Sequence, residues 1–102
     1  MLKTFRSYQL AVEFYRRARA LSVRSGLSDQ LRRAASSVAL NLAEGSGKTS
    51  RKDQLRFYAI ALGSVRECEA IFDLVGDVPR ETRQCLDQLA RHTFCLCRAL
   101  RK

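Results

Sequence analysis

The sequence predicts an all-α protein, an antiparallel four-helix bundle with up-down-up-down connections. Only one Pro and five Gly interrupt the 102 residues, fewer than a turn-rich β protein needs. Apolar residues recur at helical spacing in four segments. The connections between these segments are short, and helices joined by short connections pack as antiparallel neighbours. The length suits a single domain, residues 1–102, and a hydrophobic content of 46% is enough for one packed core.

The first helix is expected from about Thr4 to Arg24. Phe5, Tyr8, Val12 and Tyr15 form one stripe; Ala11, Phe14, Ala18 and Leu21 form an adjacent one. At roughly 100° per residue the two merge into a face wider than a single neighbour needs. Self-association could use the surplus. Ser25-Gly26-Leu27 breaks the pattern, with Gly26 as the residue just past the helix end. Ser28 is the expected N-cap of the second helix, with Asp29 in the favourable first turn. That helix is expected to run to Glu44 and stop at Gly45. Its apolar face, Leu31, Ala34, Ala35, Val38, Ala39 and Leu42, is mostly small, which admits a close neighbour.

Ser50 can cap the third helix, with Asp53 in the capping-box position. The helix is expected from Arg51 to about Val75. Phe57, Ile60, Ala61, Ser64, Cys68, Ile71, Phe72 and Val75 are its expected inner face, while Leu55, Leu62 and Leu74 point elsewhere. Gly63 is expected to let another helix approach. Gly76-Asp77-Val78 forms the next connection, and Pro79 sits where a first-turn proline belongs. The last helix, to about Leu100, shows a stripe of Thr82, Cys85, Leu86, Leu89, Thr93, Leu96, Cys97 and Leu100.

The formal net charge is +9. Residues 1–66 hold 13 Lys and Arg against 4 Asp and Glu, while residues 67–102 hold 6 of each. A field this lopsided points to an anionic partner, although a basic surface can also serve solubility alone. The four cysteines, Cys68, Cys85, Cys95 and Cys97, form no C-x-x-C pair, and on a helix Cys95 and Cys97 face nearly opposite ways. Without a signal peptide they read as free thiols in a reducing cytoplasm, with Cys68, Cys85 and Cys97 as small core residues. No apolar run approaches the ~20 residues of a membrane span.

Two constellations carry most of the chemical content. The loop Gly45-Ser46-Gly47-Lys48-Thr49-Ser50 resembles half of a phosphate loop, but Leu42 stands where the first glycine belongs and a helix precedes it. What survives is a cationic cluster, Lys48, Arg51, Lys52 and Arg56, at a helix N-terminus, which can hold backbone phosphates. Arg16 and Arg17 join it as candidate nucleic-acid contacts. The second constellation is a polar row on the second helix: Gln30, Arg33, Ser37, Asn41 and Glu44. It reads as a structural network rather than a pocket, with Arg33 or Arg56 paired to Glu44 and Asn41 bridging to the third helix. His92 has no triad around it. Glu67, Glu69 and Asp73 read as a solvated face, and Ser64 lacks a strained elbow. No catalytic residue, cofactor or metal is predicted.

The run from Asp29 to Gly45 and the run from Arg56 to Glu67 resemble the hallmark of a bacterial family. Its pattern is matched by Gln30, Arg33, Ala34, Ser37, Asn41, Glu44 and Gly45, then by Ile60, Ala61, Gly63, Ser64 and Glu67. The family is that of small four-helix-bundle proteins, including those encoded in intervening sequences of 23S ribosomal RNA genes. The resemblance covers nearly the whole chain, with a first helix and following turn that look short. It implies a four-helix bundle assembled as a homopentamer, with no enzyme activity. It also implies a relation to the accessory variability proteins of diversity-generating retroelements, which bind nucleic acid and a reverse transcriptase. The expected function is a non-enzymatic homo-oligomer binding nucleic acid, RNA in the first place. The alternative is a scaffold for an acidic protein partner, such as a reverse transcriptase complex.

Overall fold

Helical periodicity becomes four helices in the computed structural model, which describes residues 2–23 and 26–101. They are α1 (Arg6–Arg19), α2 (Leu27–Ser46), α3 (Arg51–Val75) and α4 (Arg80–Leu100), preceded by a 3-10 turn at Leu2–Thr4. Each packs against its neighbours in chain order, and α4 closes the ring against α1. The result is an antiparallel four-helix bundle of 41 × 22 × 19 Å. Among the described residues, no helix is long and apolar enough to cross a membrane.

The core runs the length of the bundle and includes Leu10, Phe14, Leu31, Val38, Leu42, Val65, Phe72 and Leu89. Two aromatic pairs tie α1 and its lead-in to α3 across the middle. Phe14 meets Phe72 at 5.8 Å between ring centroids, and Phe5 meets Tyr58 at 6.0 Å. Tilted pairs of this kind add about 0.5–1.5 kcal/mol beyond area burial. Cys68, Cys85 and Cys97 are buried in this core as small residues, and Cys95 is exposed.

Several boundaries differ from the sequence expectation. The first helix is shorter, Arg6–Arg19 rather than Thr4 to Arg24; Arg24 and Ser25 lie outside the described residues. Tight bonds from Ala20 to Arg17 and from Leu21 to Ala18 end it. Leu21 and Val23 then fold onto the core beside Phe72 and Val78. Arg16, Arg17 and Arg19 crowd the last turn, where cations suit the helix dipole. Gly26 is therefore the N-cap of α2 and not the tail of α1, and Ser28 lies inside the first turn.

Gly45 does not stop α2, which continues to Ser46 with Gly47 as its cap. A Cβ at Gly45 would lie 2.6 Å from Tyr58 Cε1 and 3.2 Å from Phe57 Cβ. It is a contact glycine that lets α3 lie against α2. Gly63, expected to play that part, is exposed with open space around it. The inner face of α3 is also rotated. Tyr58 and Val65 are buried, whereas Ile60 is 47% exposed and Leu74 is 73% exposed. At the α3 C-terminus Gly76 takes φ +82, and its N–H donates to the Phe72 carbonyl at 2.8 Å. Ser50 caps α3 as expected, accepting from the Asp53 N–H at 3.1 Å.

Candidate nucleic-acid interface

Antiparallel order gathers the start of α1, the α2–α3 loop and the end of α4 at one end of the bundle. Arg51 makes the junction explicit: its Nη2 donates to the Ala99 carbonyl at 3.1 Å, on the last turn of α4. This end therefore carries Lys3 and Arg6 with Lys48, Arg51, Lys52, Arg56, Arg98 and Arg101. The acids there are Glu44 and Asp53. The opposite end mixes signs, with Arg19, Arg32 and Arg80 beside Asp29, Asp77 and Glu81.

The six cations singled out in the sequence do not form one cluster. Lys48, Arg51, Lys52 and Arg56 share the basic end. Arg16 and Arg17 lie ten and eleven residues along α1 from Arg6, about 15–16 Å away at the helical rise. Arg17 is held by Glu13 at 3.3 Å. Lys48 pairs with Glu44 at 3.1 Å and also lies over the Phe57 ring, 5.2 Å from its centroid. Arg56 lies over the same ring at 4.6 Å. Exposed contacts of this strength leave a cation available to a phosphate. Lys3, Arg6, Arg98 and Arg101 escape a reading by sequence proximity, because only the antiparallel topology brings them to the same end as Lys52.

The polar row resolves into a smaller network. Asn41 Nδ2 donates to the Ser37 carbonyl at 2.9 Å and to Ser37 Oγ at 3.0 Å. Ser64 Oγ donates to Ser37 Oγ at 2.8 Å, and this bond crosses from α3 to α2. The crossing is thus made by Ser37 rather than Asn41. Gln30, Arg33 and Glu44 stay exposed. Arg33 does not pair with Glu44: eleven residues apart on one helix, they are separated by about 16 Å. Glu44 takes Lys48 instead, at the i,i+4 spacing that favours such a pair.

The remaining titratable groups are set by burial. Burial pushes the Cys68 thiol up to about 12, helped by the charges of Glu67 and Glu69. It pushes Cys85 up to about 11, with Glu13 adding to the rise, and the Cys85 thiol donates to the Leu10 carbonyl at 3.9 Å. Cys97 and Tyr58 are raised by burial as well. These three thiols are held protonated, the reverse of what a nucleophile or a metal ligand requires. Gly45 and Ser46 are the last turn of α2, so the Gly47-Lys48-Thr49 string leaves a helix, not the strand that a phosphate loop follows.

No curated protein matches the chain. The family model described as 23S rRNA-intervening sequence protein matches residues 4–102. With the match running through all four helices, the chain belongs to the 23S rRNA-intervening sequence protein family.

Proposed function

We propose that this protein is a non-enzymatic, homo-oligomeric RNA-binding bundle that grips backbone phosphates with its basic end. The observation that carries this reading is the convergence of cations from three separate stretches of chain at one end of the molecule. A positive surface with few acids attracts a polyanion without reading its sequence. The buried thiols and the Ser37–Asn41–Ser64 seam are spent on packing and on each other, which favours a binding role over a catalytic one.

Self-association fits the outward stripe of α3. Ile60, Gly63, Glu67, Ala70 and Leu74 recur every three to four residues, and all are exposed. Leu40, 68% exposed, adds an apolar residue on α2. Assembly as a pentamer is what the family resemblance implies, and a ring would multiply the +9 of each chain.

Fluorescence anisotropy with a structured RNA across a salt series tests the binding. The expected result is tight binding with a steep negative salt slope. Reversing charge at Lys48, Lys52 and Arg101 together should weaken it at least tenfold and flatten the slope, by roughly one unit per lost phosphate contact. Absence of binding at low salt would sink the RNA reading and turn the charge towards an acidic protein. Light scattering tests assembly: Gly63→Leu, tolerated by the open space at that position, should reduce an oligomer to single chains.

A further inference from the structure

On the α3–α4 side of the basic end, one aromatic ring lies open to solvent among arginines. Phe94 is 42% exposed on α4. Arg98, one turn on, lies over its ring at 6.0 Å. Arg91, one turn back, lines a shallow groove with Phe94 and with Arg66 of α3. Beyond Arg98 the surface continues through Arg101 to Arg51, whose guanidinium is fixed on the Ala99 carbonyl, and to Lys52.

We infer that this face is a track for unpaired RNA, with Phe94 as the ring on which a base stacks and the flanking cations holding phosphates. The inference rests on the RNA reading above and narrows it. A large exposed aromatic between cations at helical spacing matches what single-strand binders use: a basic path for the backbone and a ring for a base face. A duplex keeps its base faces inside the stack and offers Phe94 nothing but phosphates. An acidic peptide would match the charge without needing the ring.

Acids give the track a direction. Glu69 and Asp87 line the same groove on the side away from Arg98, and Glu69 already holds Arg66 at 2.9 Å. Phosphates are repelled there and drawn instead towards the α4 C-terminus. The strand therefore runs from Arg91 across Phe94 to Arg98, Arg101 and Lys52.

The chain has no Trp, so Phe94→Trp places a single reporter at the stacking position. A short oligouridylate should quench its fluorescence saturably, with salt reversing the effect, and a blunt RNA duplex should leave it unquenched. Phe94→Ala should bind oligouridylate about tenfold more weakly than the wild type, the loss expected for one stacked base. The double variant Arg91→Glu, Arg98→Glu should abolish binding, while Arg16→Glu should not. Equal affinity of wild type and Phe94→Ala for oligouridylate overturns the track even if the protein binds RNA tightly. Tight binding of the duplex with no binding of oligouridylate also overturns it, and leaves the broader RNA reading standing. Failure to bind either RNA removes both. Quenching by an acidic peptide with none by RNA replaces the track with a protein-docking face.

Discussion

Gly45 takes the close-approach role expected of Gly63, which lies in open space inside α3, and substitutions at the two positions measure the difference. Gly45→Ala gains about 1 kcal/mol of helix propensity, but its methyl meets the Tyr58 ring and the Phe57 Cβ. Neither can yield easily, since Tyr58 is 5% exposed and packs on Phe5. Overpacking costs about 1–3 kcal/mol, so urea unfolding should show a net loss of about 1 kcal/mol. Gly63→Ala meets nothing and should gain about 0.5–1 kcal/mol in a single chain. Sequence alone does not separate the two glycines. Both sit next to Ser or Glu in a helical pattern, and only the packing partner distinguishes a contact glycine from an open one. The cysteines are easier to read: three fall on the apolar stripes and are buried, and Cys95 falls off the stripe and is exposed. A thiol reagent at neutral pH should therefore titrate one cysteine in the folded protein and four in urea.

At the scale of the helices, existence and order are legible, as are both ends of α3 and the end of α4, while the bounds of α1 and α2 are not. Periodicity places four amphipathic segments because burial demands a continuous apolar stripe. It cannot mark where α1 stops, because Leu21 continues the stripe whether the chain is helical or folded back over the core. The inner face of α3 is misjudged for a related reason. Apolar residues line several sides of that helix, and Tyr58, with its polar tip, looks like a surface residue yet is buried. Two helix ends are closed by arginines in addition to their local caps. Arg83 Nη2 donates to the Phe72 and Gly76 carbonyls at 3.2 Å each, and its guanidinium lies 5.7 Å from the Phe72 ring centroid. Arg83→Ala should lower stability by about 1 kcal/mol, since the Gly76 carbonyl loses a donor and the negative end of the α3 dipole loses a cation. Arg83→Lys should recover little of this, because an ammonium lacks the planar fork. Thermal melts of the two variants decide the point.

Across the whole molecule, burial of thiols makes stability depend on alkaline pH. Cys68 and Cys85 ionise near 9.0 when the chain is open, and only at about 12 and about 11 in the fold. Below pH 9 both states hold the proton and the contribution is complete. Above it the unfolded chain sheds protons that the folded chain keeps, so stability falls as pH rises from 9 towards 11. Tyr58, raised from 10.0, acts in the same direction. Urea midpoints should drop across that window, and Cys68→Ala should flatten the drop while lowering the plateau through the cavity it leaves. A midpoint that holds steady to pH 11 would contradict the buried-thiol account.

The placement of cations at one end of a rod 41 Å long also gives the protein a permanent charge polarity along its axis. In the field of a polyanion such a body turns before it touches, and arrives with its α2–α3 loop and α4 tail leading. Steering of this kind acts on the encounter and only weakly on the lifetime of the complex. Removing Lys3 and Arg6, which lie on that end but away from the Phe94 face, should therefore slow association several-fold at low salt while the dissociation rate stays nearly constant.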